Sequence, residues 1–402
     1  MADRIAITSL GIISALGRGK QANIDALTNK RSGLNHPVHL KTKHSNEFLL
    51  GEIDLSDDEL ATALNLPTGD NGYTRTTLIA LLAMQELMSS IDMEWLQNDS
   101  FAFINANTVG GMCSVENMYL DFISENTRGE FIQYIDTLDC AESTLNICKY
   151  YDIKPFTATL STACSSSANA IMLGARLIKQ GVVTRAICGG CDALSRFTLN
   201  GFNSLKNVTK GLCKPFDEER MGLNLGEGAG YLLLEKESDA IARGATILGY
   251  LSGYSNTNDA HHPTAPPPGG EGALLTMNEA LRTANLSSSD IGYVNAHGTA
   301  TLNNDEAEGK ALERLFEDKA PIFSSTKPYT GHTLAAAGAI EAIFSLCTLE
   351  QQKAWPNLNF EKQMHDINIS PVTEVTDINV EHVLSNSFGF GGSNVSLVFS
   401  KA

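Results

Sequence analysis

The chain has 402 residues, 43% hydrophobic and 19% charged, enough apolar material for a large core without disulfides or a structural metal. Its formal net charge of −17 argues against a broad nucleic-acid footprint and against docking on anionic membranes, both of which need a basic face. The opening residues carry no cleavable-leader pattern, no apolar run approaches membrane-spanning length, and the eight cysteines are scattered, so a cytoplasmic protein with reduced thiols is expected.

In chain order, "RIAITSLGIISALG" predicts a buried strand and a Gly-punctuated turn. Residues 74–90 carry apolar side chains at helical spacing, and "FAFINAN" predicts a strand. The stretch "STACSSSANAIMLGARLIKQG", residues 161–181, predicts a turn and then a helix; "RAICGGCDA" predicts a strand, and "GEGAGYLLLEK" a Gly-rich turn entering another. Near Ala245 the pattern starts again, with strands in "ATILGYLSGYSN", "IGYVNAHGTA" and "HVLSNSFGFGGSNVSLVFS" and helices in "GALLTMNEALRTANL" and the segment after "KPYTGHT". This alternation predicts an α/β fold. "LSTACSSSANAIMLGARL" and "YTGHTLAAAGAIEAIFSL" both pass from a polar loop into an apolar helix, which suggests a duplication with Cys164 and His332 at equivalent helix starts. "TNDAHHPTAPPPGGEG" reads as a surface loop.

A free cysteine is ordinarily a small core residue. At a helix start, however, unpaired N–H groups and the helix dipole favour the thiolate, and small flanking residues leave room for a substrate. The stretch around Cys164 leaves both readings open. Cys188 and Cys191 form one C-x-x-C, but no second ligand pair stands at zinc spacing and Cys188 ends an apolar run, so these two are expected in a buried strand and no metal site is expected.

Three further segments carry chemistry. His297 lies in a polar loop after the strand "IGYV", with Thr299 and Thr301; Asp305 and Glu308 follow one helical turn apart. Lys327 and His332 flank a turn into a helix, where an imidazole is held neutral and can donate to a developing oxyanion. "NSFGFGGSN" is either a turn between strands or an oxyanion hole with a gating aromatic. No phosphate loop, H-E-x-x-H or G-x-S-x-G elbow is present.

"TACSSS", "NAHGTAT", "KPYTGHT" with its Ala-rich helix start, and "NSFGFGGSN", in this order and with "KPFDEERMGLNLGEGAGYLLLEK" between them, resemble the β-ketoacyl-acyl-carrier-protein synthases of the type I and II group. The resemblance covers essentially the whole chain. It implies a thiolase-like fold, two similar halves in a five-layered αβαβα core, placed at 1–248 and 249–402. It implies an acyltransferase that elongates acyl chains by two carbons through decarboxylative condensation of malonyl-carrier with an acyl group on Cys164. His297 and His332 would serve decarboxylation, with Lys327 supporting them. The N–H groups of Cys164 and Phe388 would form the oxyanion hole, with Phe388 as the gate beside Gly389. Thr299 and Thr301 would bind the phosphopantetheine arm, Asp305 and Glu308 would be structural, and Val109 and Phe202 would line the acyl pocket. No cofactor is bound in this family. Substrates arrive on the phosphopantetheine of an acyl carrier protein, and the expected assembly is a homodimer, with a heterodimer with a related subunit as the alternative.

By the usual cost of losing one oxyanion donor, each histidine is worth about 3–4 kcal/mol to that reaction. A thiolase would show a second catalytic cysteine in the C-terminal half, where Cys347 lies inside an apolar helix pattern. The family ordinarily reads Arg-Asp-Gly after "PFD"; here Met221 takes the Asp position, and "GLNLGEGA" and "GFNSL" resemble the synthases of aryl-polyene and flexirubin pigment clusters. Carrier docking needs basic residues at the tunnel mouth, and Arg75 and Lys206 are the candidates.

Overall fold

Strand β1 (Ile5–Ser14) is buried at every position, as a strand covered on both faces must be. It lies near the middle of a long mixed sheet in the computed structural model, which describes residues 4–119, 130–317 and 322–402. The other principal strands are β2 (Phe101–Ala106), β3 (Phe156–Leu160), β4 (Arg185–Asp192), β5 (Gly228–Lys236), β6 (Gly249–Asn258), β7 (Tyr293–Asn295), β8 (Ile322–Ser324), β9 (His382–Gly389) and β10 (Ser393–Ser400). Their order is β3-β2-β4-β5-β1-β6-β10-β9-β7-β8.

That order contains a repeat. In β3-β2-β4-β5-β1, the last two strands run antiparallel to their neighbours and the first three are mutually parallel. In β8-β7-β9-β10-β6 the same order and the same senses recur. The two runs join where Ile5, Ala6 and Ile7 of β1 meet Leu251, Tyr250 and Gly249 of β6.

The principal helices are α1 (Arg75–Met88), α2 (Ser166–Lys179), α3 (Arg196–Ser204), α4 (Glu271–Ala284), α5 (Leu302–Phe316) and α6 (Ala337–Gln351). Thr74 caps α1 and Ser195 caps α3, each accepting the N–H three residues on. Helices α2 and α6 pack against each other between the two five-stranded runs; Ala339 N–H donates to Ser167 Oγ, and a Cβ on Gly338 would come within 2.9 Å of Ala168. With α1 outside the first run and α4 and α5 outside the second, the layers are αβαβα. The run Leu334–Gln351 is long and apolar enough to cross a membrane, contrary to the expectation from the sequence, but 89% of it is buried as the central-layer core helix.

The outer strands differ. β8 is covered, with Val372 N–H donating to Phe323 O and the Ser324 hydroxyl to Trp355 O. β3 has a strand on one side only among the described residues, and Phe156 is 51% exposed.

Candidate active site

Cys164 lies between the end of β3 and the start of α2, in a turn that forces Ala163 into the left-handed region at φ 52°. That conformation costs a non-glycine residue about 1 kcal/mol. The Ser166 hydroxyl accepts from Thr162 N–H and donates to Ala163 O, which holds the turn. Cys164 is buried, and burial pushes its thiol up to about 11, with Lys327 and the N–H groups of Phe390 and Cys164 itself pulling the other way. The expected lowering at a helix start is therefore reversed by desolvation.

The histidines come from the second half. Among the described residues His332 Nε2 has no hydrogen-bond partner, while its Nδ1 accepts from Leu334 N–H at 3.1 Å. The neutral ring thus carries its hydrogen on Nε2, facing the cavity. Lys327 Nζ stands 3.3 Å from His297 Nδ1 and also donates to His297 O and to Glu341. An ammonium cannot accept, so His297 likewise carries its hydrogen on Nε2. Burial, then Lys327, hold both imidazoles well below their ordinary range, and His332 adds to the effect on His297. A ring nitrogen of each histidine and the Cys164 sulfur lie within 4.8 Å of one another. With both Nδ1 atoms taken by donors, the Nε2–H form is wrong for a metal ligand and right for donating to an oxyanion.

Two buried carboxylates hold the loop after β7. Glu308 on α5 accepts from His297 N–H, Gly298 N–H and the Asn386 side chain; burial raises it to about 7 against those bonds. Asp305 accepts from Ala300 N–H and Phe216 N–H. Beyond them Thr299 and Thr301 share a 2.8 Å hydroxyl contact on the cavity wall. Asp305 and Glu308 thus support the loop from within the fold, and Thr299 and Thr301 line the cavity.

The glycine turn corrects one expectation. The N–H that reaches the Cys164 sulfur is that of Phe390, not Phe388, because β9 runs on through Gly389 before the turn brings the chain over the cysteine. Phe388 instead sets its ring 5.8 Å from that of His297. Phe390 stacks on Phe202 with ring centroids 5.5 Å apart, and this aromatic pair lines the same cavity as Cys164. Gly389 is required by close approach: a Cβ there would fall 2.9 Å from Thr162 O and 3.3 Å from Cys164 N. Val109 lies behind this pair, in the apolar cluster of Leu194, Leu199, Leu225 and Leu334, and off the wall of the open cavity. That cavity, about 180 Å³, runs from Cys164 and the histidines to a mouth at Lys206, Met221 and Leu302.

Arg75 does not reach the mouth. It is buried and donates to the fully buried Glu227 and to Asp57, because Glu227 needs a counter-ion inside the fold. Lys206 is exposed at the mouth, and Met221 beside it is 73% exposed. Cys188 and Cys191 are buried in β4, with both thiols raised by burial. Sequence reasoning missed Phe390, Glu341 and Asp192. A lone glutamate in the apolar run "GAIEAIFSL" was the available signal for Glu341; Phe390 stood in a quoted motif, with nothing to separate it from Phe388.

Residues 2–240 match the β-ketoacyl synthase N-terminal domain and residues 248–361 the β-ketoacyl synthase C-terminal domain. The chain belongs to the β-ketoacyl synthase family, which makes it a condensing enzyme of the acyltransferase type. The chain is 30% identical to 3-oxoacyl-[acyl-carrier-protein] synthase 2 of Staphylococcus aureus (strain COL), over 99% of this chain and 98% of that protein. Among solved structures, the ishigamide ketosynthase/chain length factor aligns with TM-score 0.92 at 26% identity, over all of both chains. A ketosynthase in complex with its chain length factor from Xenorhabdus doucetiae aligns with TM-score 0.85 at 30% identity, covering 100% of this chain and 98% of that one.

Proposed function

We propose that the chain elongates an acyl group by two carbons, taking it as a thioester on Cys164 and condensing it with a decarboxylated malonyl unit. The observation that carries this reading is the pair of neutral imidazoles, both with Nε2–H, grouped with one buried thiol. Exchange of the acyl group from its carrier thioester to Cys164 passes the cysteine proton to the departing carrier thiol. The malonyl unit then loses carbon dioxide, and the enolate oxygen lies against the two donors in a site with little water. The enolate carbon attacks the acyl-cysteine carbonyl, whose oxyanion is received by the N–H groups of Cys164 and Phe390. Collapse releases the cysteine sulfur, which takes up one proton, as a thiol raised to about 11 requires.

The names of the relatives support acyl-carrier-borne substrates, with the phosphopantetheine arm passing Thr299 and Thr301 and the carrier meeting Lys206. The terminal position of β3 in the sheet, unpaired on one side among the described residues, supports pairing with a second subunit of the same kind, each built from halves 1–248 and 249–402. Eight free cysteines support a reducing, cytoplasmic setting. The same reaction in a pigment or polyketide pathway, with a non-catalytic partner subunit, is a second reading, favoured by the exposed Met221 and the Xenorhabdus relative.

Intact-mass analysis of protein and carrier, with malonyl-carrier and a panel of acyl donors, tests both. Extension of saturated chains supports fatty-acid elongation, and extension of a conjugated chain alone supports the pigment reading. Acylation at Cys164 without product points to a missing partner, and no acylation contradicts the reaction.

A further inference from the structure

Asp192, the last residue of β4, is fully buried, and its carboxylate is satisfied by N–H and O–H donors. Oδ1 accepts Thr108 N–H at 3.0 Å and Val109 N–H at 3.2 Å, while Oδ2 accepts the Thr108 hydroxyl and Ala335 N–H at 2.8 Å. A carboxylate buried among neutral donors is expensive, and burial raises this one to about 6 against those four bonds.

The four donors come from two places. Thr108 and Val109 form the turn after β2, with Val109 in the apolar cluster behind Phe202. Ala335 lies in the turn Leu334–Ala336, which belongs to the other half of the fold. The first residue of that turn, Leu334, donates the N–H that fixes His332 Nδ1, holds φ at 53°, and buries its side chain in the same cluster as Val109. A leucine in the left-handed region needs outside support, and the bond to the next residue in the chain supplies it.

We propose that Asp192 is a positioning residue for His332, its carboxylate tying the Leu334–Ala336 turn, and through it the imidazole tautomer, to the Thr108–Val109 turn beside the acyl cluster. The proposal rests on the decarboxylating role assigned to His332 above. Cys164 acylation depends on the N–H groups of Cys164 and Phe390, which Asp192 does not touch, so the two half-reactions separate the roles.

The test compares wild type, Asp192→Asn and Thr108→Val. Asp192→Asn turns an N–H toward donors; Thr108→Val removes the hydroxyl alone. Carbon dioxide release from a malonyl thioester and acylation of Cys164 are each measured per folded molecule, and a 15N-histidine spectrum reads the His332 tautomer. Carbon dioxide release is expected to fall about tenfold or more in Asp192→Asn and about threefold in Thr108→Val, with acylation within about twofold, as for loss of positioning around an intact nucleophile. The tautomer signal is expected to move from Nε2–H toward a mixture. Unchanged release, or both half-reactions falling together with an unmoved His332 signal, overturns the proposal. If Asp192→Asn does not fold, Thr108→Val decides by the same readings. A wild type that releases no carbon dioxide contradicts the reaction itself, and the tautomer signal then still decides the role of Asp192.

Discussion

The two five-stranded runs share strand order and register yet carry different chemistry. Asn105 pairs with Gly189 and Thr159 in the first run, and Asn295 pairs with Ser385 and Ser324 in the second. Setting Asn105 on Asn295 brings Asn107 onto His297, Asp192 onto Phe388 and Thr162 onto Lys327. In the first run these positions hold the fold together: Asn107 donates to Cys191 O, Asp192 ties two turns together, and Thr162 Oγ1 accepts from the Asn169 side chain. In the second they hold His297, the Phe388 ring beside it and Lys327 behind it. One strand-end scaffold thus serves as a clamp in one half and as chemistry in the other, and the sulfur on the clamp side meets the histidines across the central helices.

The comparison breaks first at the nucleophile. Cys164→Ala is expected to lose acyl-enzyme formation and condensation by about 10⁴-fold or more, measured by intact mass and product formation. Removing the other half's donor is expected to cost less: His332→Ala should slow carbon dioxide release by about 10²–10³-fold while leaving Cys164 acylation largely intact. Arg75→Ala strands the buried Glu227 carboxylate, and urea unfolding should show a loss of about 3–5 kcal/mol. Iodoacetamide labelling of Cys164 should climb about tenfold per pH unit from 7 to 9, because a thiol raised to about 11 gains thiolate throughout that window. A plateau near neutral pH would mean a preformed thiolate and a helix-start effect stronger than burial. The smallest effect is expected at the mouth, where Lys206→Ala should raise KM for carrier-borne substrate about two- to fivefold and leave a short free thioester unaffected.

The sequence made the α/β alternation visible because its strands are short apolar runs cut by glycine and polar turns; two loop-to-helix passages hinted at the duplication, but the strand register sets Cys164 on Tyr329 and not on His332. Four motifs brought Cys164, His297, Lys327 and His332 forward by their residue types. What stayed hidden depended on contacts across the chain. Arg75 reads as a surface cation until Glu227, 152 residues away, is seen to need it. Phe388 and Phe390 are two residues apart in a glycine turn, and which N–H faces the sulfur follows from where β9 ends. The Cys164 thiol moves up and not down because helix-start electrostatics is legible locally, whereas burial is a property of the whole packed interior.

The division of labour between the halves is tested most directly by carbon dioxide release from a malonyl thioester in Cys164→Ala. If the second half decarboxylates by itself, release continues within about tenfold of wild type while acylation is gone. If release disappears with the sulfur, the histidine pair is not an independent decarboxylating unit, and the account of the two halves fails.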